Sequence, residues 1–157
     1  MYRTVTDFLS DWDEAAKGTT QALQAFRDEK LDQAIVEGHN TLRWLGWHLA
    51  TSPAFFAGLT GLDVEAAKQE ENVPGESEKM VAAYKKIADD IHHEAEKKLT
   101  DEKMAETVEA FGQQVPRGAI LRKLIDHQTH HRGQITVLLR QAGLHVPGVM
   151  GPTKEDQ

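Results

Sequence analysis

Apolar side chains recur every three or four residues along most of the chain, which is the spacing of one face of an α-helix. Asn40 is the predicted N-cap of the second such stretch, and Pro53 is expected either to begin a new helical turn or to kink that helix. Gly143 is the expected stop of the last helix, because glycine commonly follows a helix C-terminus. The pattern predicts four long helices, at about residues 5–26, 40–59, 77–95 and 117–142.

The connections between these helices are polar and contain weaker signals. A short helix is possible near Val64, and residues 99–108 favour another, capped by Thr100 or Asp101. Residues 111–116 contain glycine and proline and therefore indicate a loop.

Four long helices in 157 residues predict an all-α fold, a four-helix bundle. The long connections leave room for crossovers, so that consecutive helices need not be neighbours. Residues 1–157 are expected to form one domain, because the length is that of a single domain. The tail from about residue 144, which is rich in glycine and proline, is expected to be irregular.

Composition and charge exclude several classes of function. The 18 Lys and Arg against 25 Asp and Glu give a net charge of −7, which disfavours binding to nucleic acid. The chain has no Cys, which excludes disulfides, thiolate zinc sites and a cysteine nucleophile. No apolar segment has the length of a membrane span or the pattern of a signal peptide, so a cytoplasmic protein is expected. A metal site would have to use His, carboxylates and water, which directs attention to the eight histidines.

Two histidines lie on the apolar stripe of the last predicted helix. His127 and His131 are four residues apart, which places them one turn apart on one side of a helix. Imidazoles that face a bundle core need partners for their nitrogens, and a divalent metal supplies one. His48 is the best third ligand, because it follows Leu45 by three residues on the inward face of the second helix. Three imidazoles would leave a coordination position open for water or substrate.

A pair of histidines at this spacing also occurs in helices without any metal, by chance or with its nitrogens hydrogen-bonded to neighbours. The spacing alone leaves both interpretations open. His92 is the one plausible substitute ligand. The other histidines are expected in loops, at boundaries or in solvent: His39, His93, His130 and His145. Of these four, only His39 is considered for a role at the entrance to the site.

Several neighbours of the three histidines are candidate substrate-binding residues. Trp44 and Trp47 precede His48, and each is expected to pack in the bundle or to form an apolar wall of a substrate pocket, with Trp47 the chosen candidate. Arg132 is expected to form a surface or interhelix salt bridge, or to bind an anionic substrate. Gln134 lies on the side of His127 and is expected to hydrogen-bond near the metal. The carboxylates that could orient an imidazole from behind are Asp90 and Asp126.

These motifs together resemble those of the DinB/YfiT-like superfamily. The resemblance rests on Leu45-Gly46-Trp47-His48-Leu49-Ala50 in the second helix, on Phe111-Gly112 before the last helix, and on His127-x-x-x-His131-Arg132-Gly133-Gln134 with the following Leu138-Leu139-Arg140-Gln141-Ala142-Gly143 and Val146-Pro147. It implies a four-helix bundle that is often a homodimer. It also implies that His48, His127 and His131 bind a divalent metal, commonly zinc or nickel. Many members carry Tyr-Gly-Pro where this chain has Met150-Gly151-Pro152, so any role of that tyrosine is missing here.

Three hypotheses for function are open, and the resemblance supports the first. The first is a metal-dependent enzyme. Relatives in the family include transferases that use low-molecular-weight thiols such as bacillithiol or mycothiol, and a maleylpyruvate isomerase. Hydrolysis by a metal-activated water is equally compatible with the three ligands. The second is a non-catalytic, stress-linked protein that binds a metal or another ligand. The third is a dimeric helical protein without metal, for which the apolar residues around Trp12 and Phe55-Phe56 would supply an interface.

Overall fold

The computed structural model describes residues 1–65 and 73–156 and is mostly helical. This confirms the predicted all-α class, with one small addition, a two-stranded hairpin that the apolar pattern did not predict. The helices are α1 (Val5–Gln24), α2 (Leu42–Thr51), α3 (Pro53–Leu59), α4 (Ser77–Lys98), α5 (Asp101–Ala105) and α6 (Arg117–Gln141), and the strands are β1 (Thr107–Ala110) and β2 (Gln113–Pro116).

Four long elements form the bundle. Helix α1 packs against α4 and α6, and α2 packs against the same two helices from the opposite corner. Consecutive long helices α1 and α2 are therefore diagonal to each other, as are α4 and α6, which requires the crossovers that the long connections allow. The short helix α3 extends the line of α2 and also packs against α6.

The helix starts follow from local chemistry. Helix α1 is capped by Thr4, whose hydroxyl accepts from the backbone N–H of Asp7. The predicted cap Asn40 of the second helix is wrong by one residue, because the hydroxyl of Thr41 accepts from the N–H of Trp44. Pro53 begins α3, so the second predicted helix is two helices that meet at Ser52 and Pro53.

The core lies between the four long helices and fixes the position of α2. Trp12 is fully buried, and its indole N–H donates to the carbonyl of Ala88, so it cannot supply the exposed apolar surface expected of an interface. Gly46 faces α1 and α4 so closely that a Cβ would lie 2.7 Å from the ring of Phe26 and 2.9 Å from the sulfur of Met80. A side chain at residue 46 would push α2, and with it His48, away from the core.

The connections differ in how well the sequence predicted them. Residues 61–65 are not helical, so within the described residues no short helix surrounds Val64; residues 66–72, which also bear on that prediction, lie outside the described part. Helix α5 confirms the short helix within 99–108, and its cap is Thr100. The predicted loop at 111–116 is in fact the turn and second strand of the hairpin, with Phe111 and Gly112 at the tip.

The chain after α6 is irregular, as predicted. Gly143 has a φ of +71° and ends the helix. The tail folds back so that Val146 is buried, and a short 3-10 turn at Lys154–Asp156 holds Glu155 against Arg140 at 2.8 and 3.1 Å. Within residues 1–65 and 73–156, no helix combines the length and apolar character that crossing a bilayer requires.

Candidate metal centre

Three imidazoles from two helices meet between α2 and α6. Nε2 of His127 lies 3.0 Å from Nε2 of His48 and 3.2 Å from Nε2 of His131. One ring nitrogen from each residue falls within 4.8 Å of the other two, which is a group able to hold a metal ion. We call these three residues the histidine cluster. It contains the three histidines that both the apolar spacing and the motif resemblance had selected.

The fold places each imidazole for an identifiable reason. His127 and His131 lie one turn apart on α6, on the side that packs against α2 and α3. His48 reaches them from the last turn of α2, which the close contact at Gly46 seats deep in the bundle. The rings meet at steep angles, with 73° between His127 and His131 and 78° between His48 and His131, so their nitrogens converge while their faces do not stack.

A hydrogen bond orients the ring of His131. Its Nδ1 lies 2.7 Å from the side-chain oxygen of Gln134, which can only accept. The proton therefore belongs on Nδ1, and Nε2 presents a lone pair to the cluster. This is the usual arrangement of a metal-binding imidazole, whose second nitrogen donates to a neighbouring acceptor. The predicted hydrogen bond of Gln134 near the site is thus present in the structure.

The environment keeps the imidazoles neutral. Burial, followed by the neighbouring His131, lowers the pKa of His48 to about 4. Burial also lowers the pKa of His127 to about 4, with smaller contributions from His131, His48 and His130. For His131 burial lowers the pKa, while the hydrogen bond that Nδ1 donates to Gln134 opposes the shift. At neutral pH the cluster therefore offers lone pairs, the form that a metal requires.

The spacing of the nitrogens is compatible with a bound metal ion as well as with hydrogen bonds between the rings. Ligand nitrogens about 2.0–2.1 Å from one tetrahedral ion are about 3.3 Å apart, close to the two separations observed here. Nε2 of His127 faces two imidazole nitrogens at once, and its Nδ1 is buried with no hydrogen-bond partner among the described residues. A cation between the Nε2 atoms would satisfy all three lone pairs together.

Aromatic rings border the histidine cluster at two of its members, His48 and His127. The indole of Trp44 stacks on His48 at 4.7 Å between centroids, and Phe56 of α3 lies 5.2 Å from His127. Trp47, the tryptophan chosen from the sequence, is instead buried in the hydrophobic core, as the packing interpretation required. Its substrate-binding role stays a prediction, whereas Trp44 is the tryptophan in contact with the cluster. Phe56 was missed because its spacing indicated only a continuing helix.

A cavity of about 240 Å³ lies one turn beyond the cluster, in the direction of the C-terminus of α6. Gln134 connects the two, because it contacts His131 and also lines the cavity. His39 lines this cavity, and a role for it at the entrance to the site stays a prediction. The lining residues are Ile35, His39, Asn40, Leu45, Gln134, Val137 and Leu138.

Arg132 does not face the cluster. Its side chain is buried on the opposite side of α6, where the guanidinium donates to the carbonyl of Ala15 and to the hydroxyls of Thr19 and Thr129 at 3.0–3.1 Å. The expectation of a surface ion pair is wrong, because the residue is 5% exposed and these acceptors are neutral. A contact between Arg132 and an anionic substrate stays a prediction that this position does not favour.

The carboxylates and remaining histidines stand apart from the cluster. Asp126 pairs with Arg122 at 2.8 Å and Asp90 with Lys86 at 2.5 Å, so neither orients an imidazole. His92, the possible substitute ligand, contacts Asp13 of α1 at 2.7 Å. His130 is exposed and is not part of the metal-binding group, as its position around the helix predicted.

Comparisons with known proteins agree with this architecture. The model of the DinB family matches residues 1–157. An uncharacterised protein of Bacillus subtilis (strain 168), YrdA, is 36% identical over 156 residues, which cover 99% of this chain and 93% of that protein. The crystal structure of a DinB-like protein from Bacillus cereus ATCC 10987 has a TM-score of 0.90 and 37% identity, and covers 94% of this chain and 99% of its own.

A second solved structure supports the fold alone. The DinB-like protein YjoA of Bacillus subtilis has a TM-score of 0.71 at 16% identity, covering 93% of this chain and 99% of its own. The match of the family model over the whole chain, together with the 36% identity to a relative of similar length, confirms the resemblance read from the motifs. The chain belongs to the DinB family.

Proposed function

We propose that the chain is a divalent-metal-dependent enzyme in which the histidine cluster holds the ion and leaves a coordination position for a small thiol or a water molecule. The observation that carries the proposal is the convergence of three neutral imidazole nitrogens on one point, with Nε2 separations of 3.0 and 3.2 Å. Three protein ligands with an open position are typical of catalytic rather than structural metal sites.

The ligand set supports an open site. The group that can hold a metal, among residues 1–65 and 73–156, consists of the three histidines and includes no carboxylate. Each of the three side chains is partly exposed, so a small molecule can approach. Neutral ligands leave the full positive charge on a bound ion, and imidazole suits zinc and nickel, the two metals that the family resemblance implies.

When bound, the metal supplies a positive charge that lowers the pKa of a coordinated thiol or water, which can then attack an electrophile. The chain's own residues set the conditions for that chemistry. Gln134 holds the His131 ring in the tautomer that binds metal, at 2.7 Å. Trp44 and Phe56 lie against His48 and His127, so that apolar rings border the cluster.

Transfer of a low-molecular-weight thiol to an electrophile is the reaction we favour, because the motif resemblance points to thiol-dependent transferases. Hydrolysis by an activated water uses the same ligands and is the other reaction that the site permits. Both predict a stoichiometric divalent metal. A non-catalytic metal-binding protein would hold the same ion without turnover.

The first experiment measures metal. Purified protein loaded with Zn²⁺ or Ni²⁺ is expected to retain one ion per chain after gel filtration, and His131→Ala is expected to lose it. His130→Ala is the matched control, because His130 neighbours His131 yet lies outside the cluster. Retention of the ion by His131→Ala, or its equal loss from both variants, would contradict the proposed site.

The second experiment measures turnover. Metal-loaded protein is incubated with monochlorobimane and a panel of low-molecular-weight thiols, in which the thiol sulfur displaces chloride to give a fluorescent conjugate. We expect conjugation by the wild type and by His130→Ala, and none by His127→Ala. A stoichiometric metal with no turnover of thiols, esters or amides would show a binding protein instead of an enzyme.

A further inference from the structure

The tip of the β1–β2 hairpin carries a bulky residue in an unfavourable backbone conformation. Phe111 has a φ of +55° and Gly112 a φ of +73°. Two consecutive residues with positive φ are typical of the two-residue turns that prefer Asn-Gly, because side chains other than Asn, Asp and Gly are strained there. Phenylalanine at this position therefore costs conformational energy that asparagine would avoid.

Burial of the ring accounts for only part of that cost. The Phe111 side chain is 49% exposed, although it lies 6.2 Å from the ring of Phe55 and 6.5 Å from that of Phe56. Phe55 is itself 57% exposed. Strain of this kind tends to occur where a side chain has a functional role, which makes the ring's position the feature to explain.

The three rings form a continuous surface that begins at the metal centre. Phe56 contacts His127 at 5.2 Å, Phe55 lies 5.4 Å from Phe56, and Phe111 stands against both. We call Phe55, Phe56 and Phe111 the aromatic wall. Its ring separations lie within the range of favourable aromatic contacts, and the two outer residues, Phe55 and Phe111, are about half exposed.

We propose that the aromatic wall binds a planar apolar group, such as an aryl ring, of the substrate whose reacting atom lies at the histidine cluster. This inference rests on the proposed function and names its substrate class. Continuity argues for a small molecule, because the wall starts at an imidazole that holds the metal. Lys123 lies 5.6 Å from the centroid of Phe111, which disfavours a cationic substrate group at the outer end.

The extent of the wall also favours a small molecule over a protein partner. A stable protein interface buries about 800 Å² on each partner, whereas three partly covered aromatic rings offer a fraction of that area. An aryl ring needs only a surface of this size. A second copy of the chain remains an outcome that the test distinguishes.

The test compares two metal ligands that differ by a phenyl group. Imidazole and 4-phenylimidazole are titrated into Co²⁺-loaded protein, and binding is followed by the visible absorption of the cobalt, which requires no turnover. Phe111→Asn keeps the turn and removes the ring. We expect about a five-fold loss of affinity for 4-phenylimidazole, the size of one aromatic contact, and no change for imidazole. The thermal stability of the variant is expected to equal or exceed that of the wild type.

Phe55→Ala separates the ring from the turn, because it removes a second ring of the wall from α3 without altering the hairpin. It is expected to produce the same selective loss. Val36→Asn is the control, since Val36 is an exposed apolar residue outside the wall and should leave both affinities unchanged. Three results would overturn the proposed role of the aromatic wall. They are an equal affinity for 4-phenylimidazole in the wild type and Phe111→Asn, an equal loss of affinity for both ligands, and a change of oligomeric state without a change of ligand selectivity. Failure to bind Co²⁺ would instead contradict the proposed function, and this inference with it.

Discussion

Helix α6 carries buried polar side chains on two opposite faces, and the two groups are built in different ways. Toward α2 and α3 lies the histidine cluster, whose Nε2 atoms approach to 3.0 and 3.2 Å. Toward α1 and α4 lies a second group, which we call the Arg132 network: Thr19, Tyr84, Gln128, Thr129 and Arg132. Adjacent residues on one helix thus belong to different groups.

In the Arg132 network donors meet acceptors. The guanidinium donates to Thr19 and Thr129, Thr19 donates to the side-chain oxygen of Gln128, and Tyr84 donates to the same oxygen at 3.0 Å. In the histidine cluster, by contrast, like groups face one another, and His131 directs its only ring proton away to Gln134. The side-chain oxygens of the network thus all have hydrogen-bond partners, although Gln128 Nε2 and Arg132 Nε are buried without a hydrogen-bond partner among the described residues, whereas the three imidazoles form a group that could hold a metal ion. We therefore assign the first group to the stability of the bundle and propose the second as the metal site.

The largest effect that separates the two groups is expected from Arg132→Ala. The change removes a buried cation and leaves the acceptors at Ala15, Thr19 and Thr129 without their donor, which should lower the free energy of unfolding by about 3 kcal/mol. Metal affinity should change less than three-fold, since the guanidinium points away from the cluster. Urea unfolding and metal titration at pH 7 measure the two quantities.

Arg122→Ala is the control for that substitution. Arg122 lies on the same helix but is half-exposed and pairs with Asp126, so its removal should change stability by no more than about 0.5 kcal/mol. If Arg132→Ala lost the metal while the fold kept its stability, the assignment of the two groups would be reversed.

A smaller effect is expected at Gln134, which acts on the metal through His131. Gln134→Ala removes the acceptor on Nδ1 and should weaken metal binding about ten-fold. Gln134→Glu keeps an acceptor and adds charge, so the affinity should equal or exceed that of the wild type. Competition with a chromogenic chelator at pH 7 measures both. Equal affinities in Gln134→Ala and wild type would show that the hydrogen bond does not support the site.

The smallest effect is a predicted absence of change. Because burial lowers the pKa of all three ligands, to about 4 for His48 and His127, protons should compete with the metal only at a lower pH than at an ordinary histidine site, and the affinity should change little where such a site begins to weaken. An ordinary histidine site, with a pKa of about 6.5, would weaken from about pH 6.5 downward. Metal titration across this range decides between them.

The same shifts act on the metal-free fold. The folded-state pKa lies below the unfolded one, so the unfolded chain binds more protons and the metal-free protein should lose stability as the pH falls from about 6.5 toward 4. Urea unfolding of metal-free protein at several pH values tests the sign. Constant stability over this interval would mean that the imidazoles are not desolvated in the metal-free fold.

The sequence predicted the histidine cluster because its signal is periodic. His127 and His131 fall on the apolar stripe of α6, and His48 falls on that of α2, so helical geometry alone turns them toward the bundle. The resemblance to the DinB family then selected the same three residues. The long helices were predictable for the same reason, since each carries an apolar face over several turns.

Features that depend on the tertiary fold were not predictable in this way. Arg132 was expected in a surface or interhelix salt bridge, whereas in the fold its guanidinium donates to neutral acceptors, two of which are supplied by the packing of α1. Trp44 and Trp47 are separated by less than one turn, yet Trp44 stacks on His48 whereas Trp47 is buried in the core. This difference depends on how α2 packs in the bundle. The hairpin strands have four residues each, too short for alternation to compete with the helical pattern around them.

We propose above that three imidazoles bind one divalent metal and leave a position for substrate. X-ray absorption spectroscopy of the stoichiometric zinc complex tests it most directly, because imidazole rings give a recognisable scattering pattern. We expect three imidazole nitrogens at about 2.0–2.1 Å together with at least one non-protein light-atom ligand. A zinc ion with one imidazole or none, or with its coordination filled by carboxylates, would contradict it.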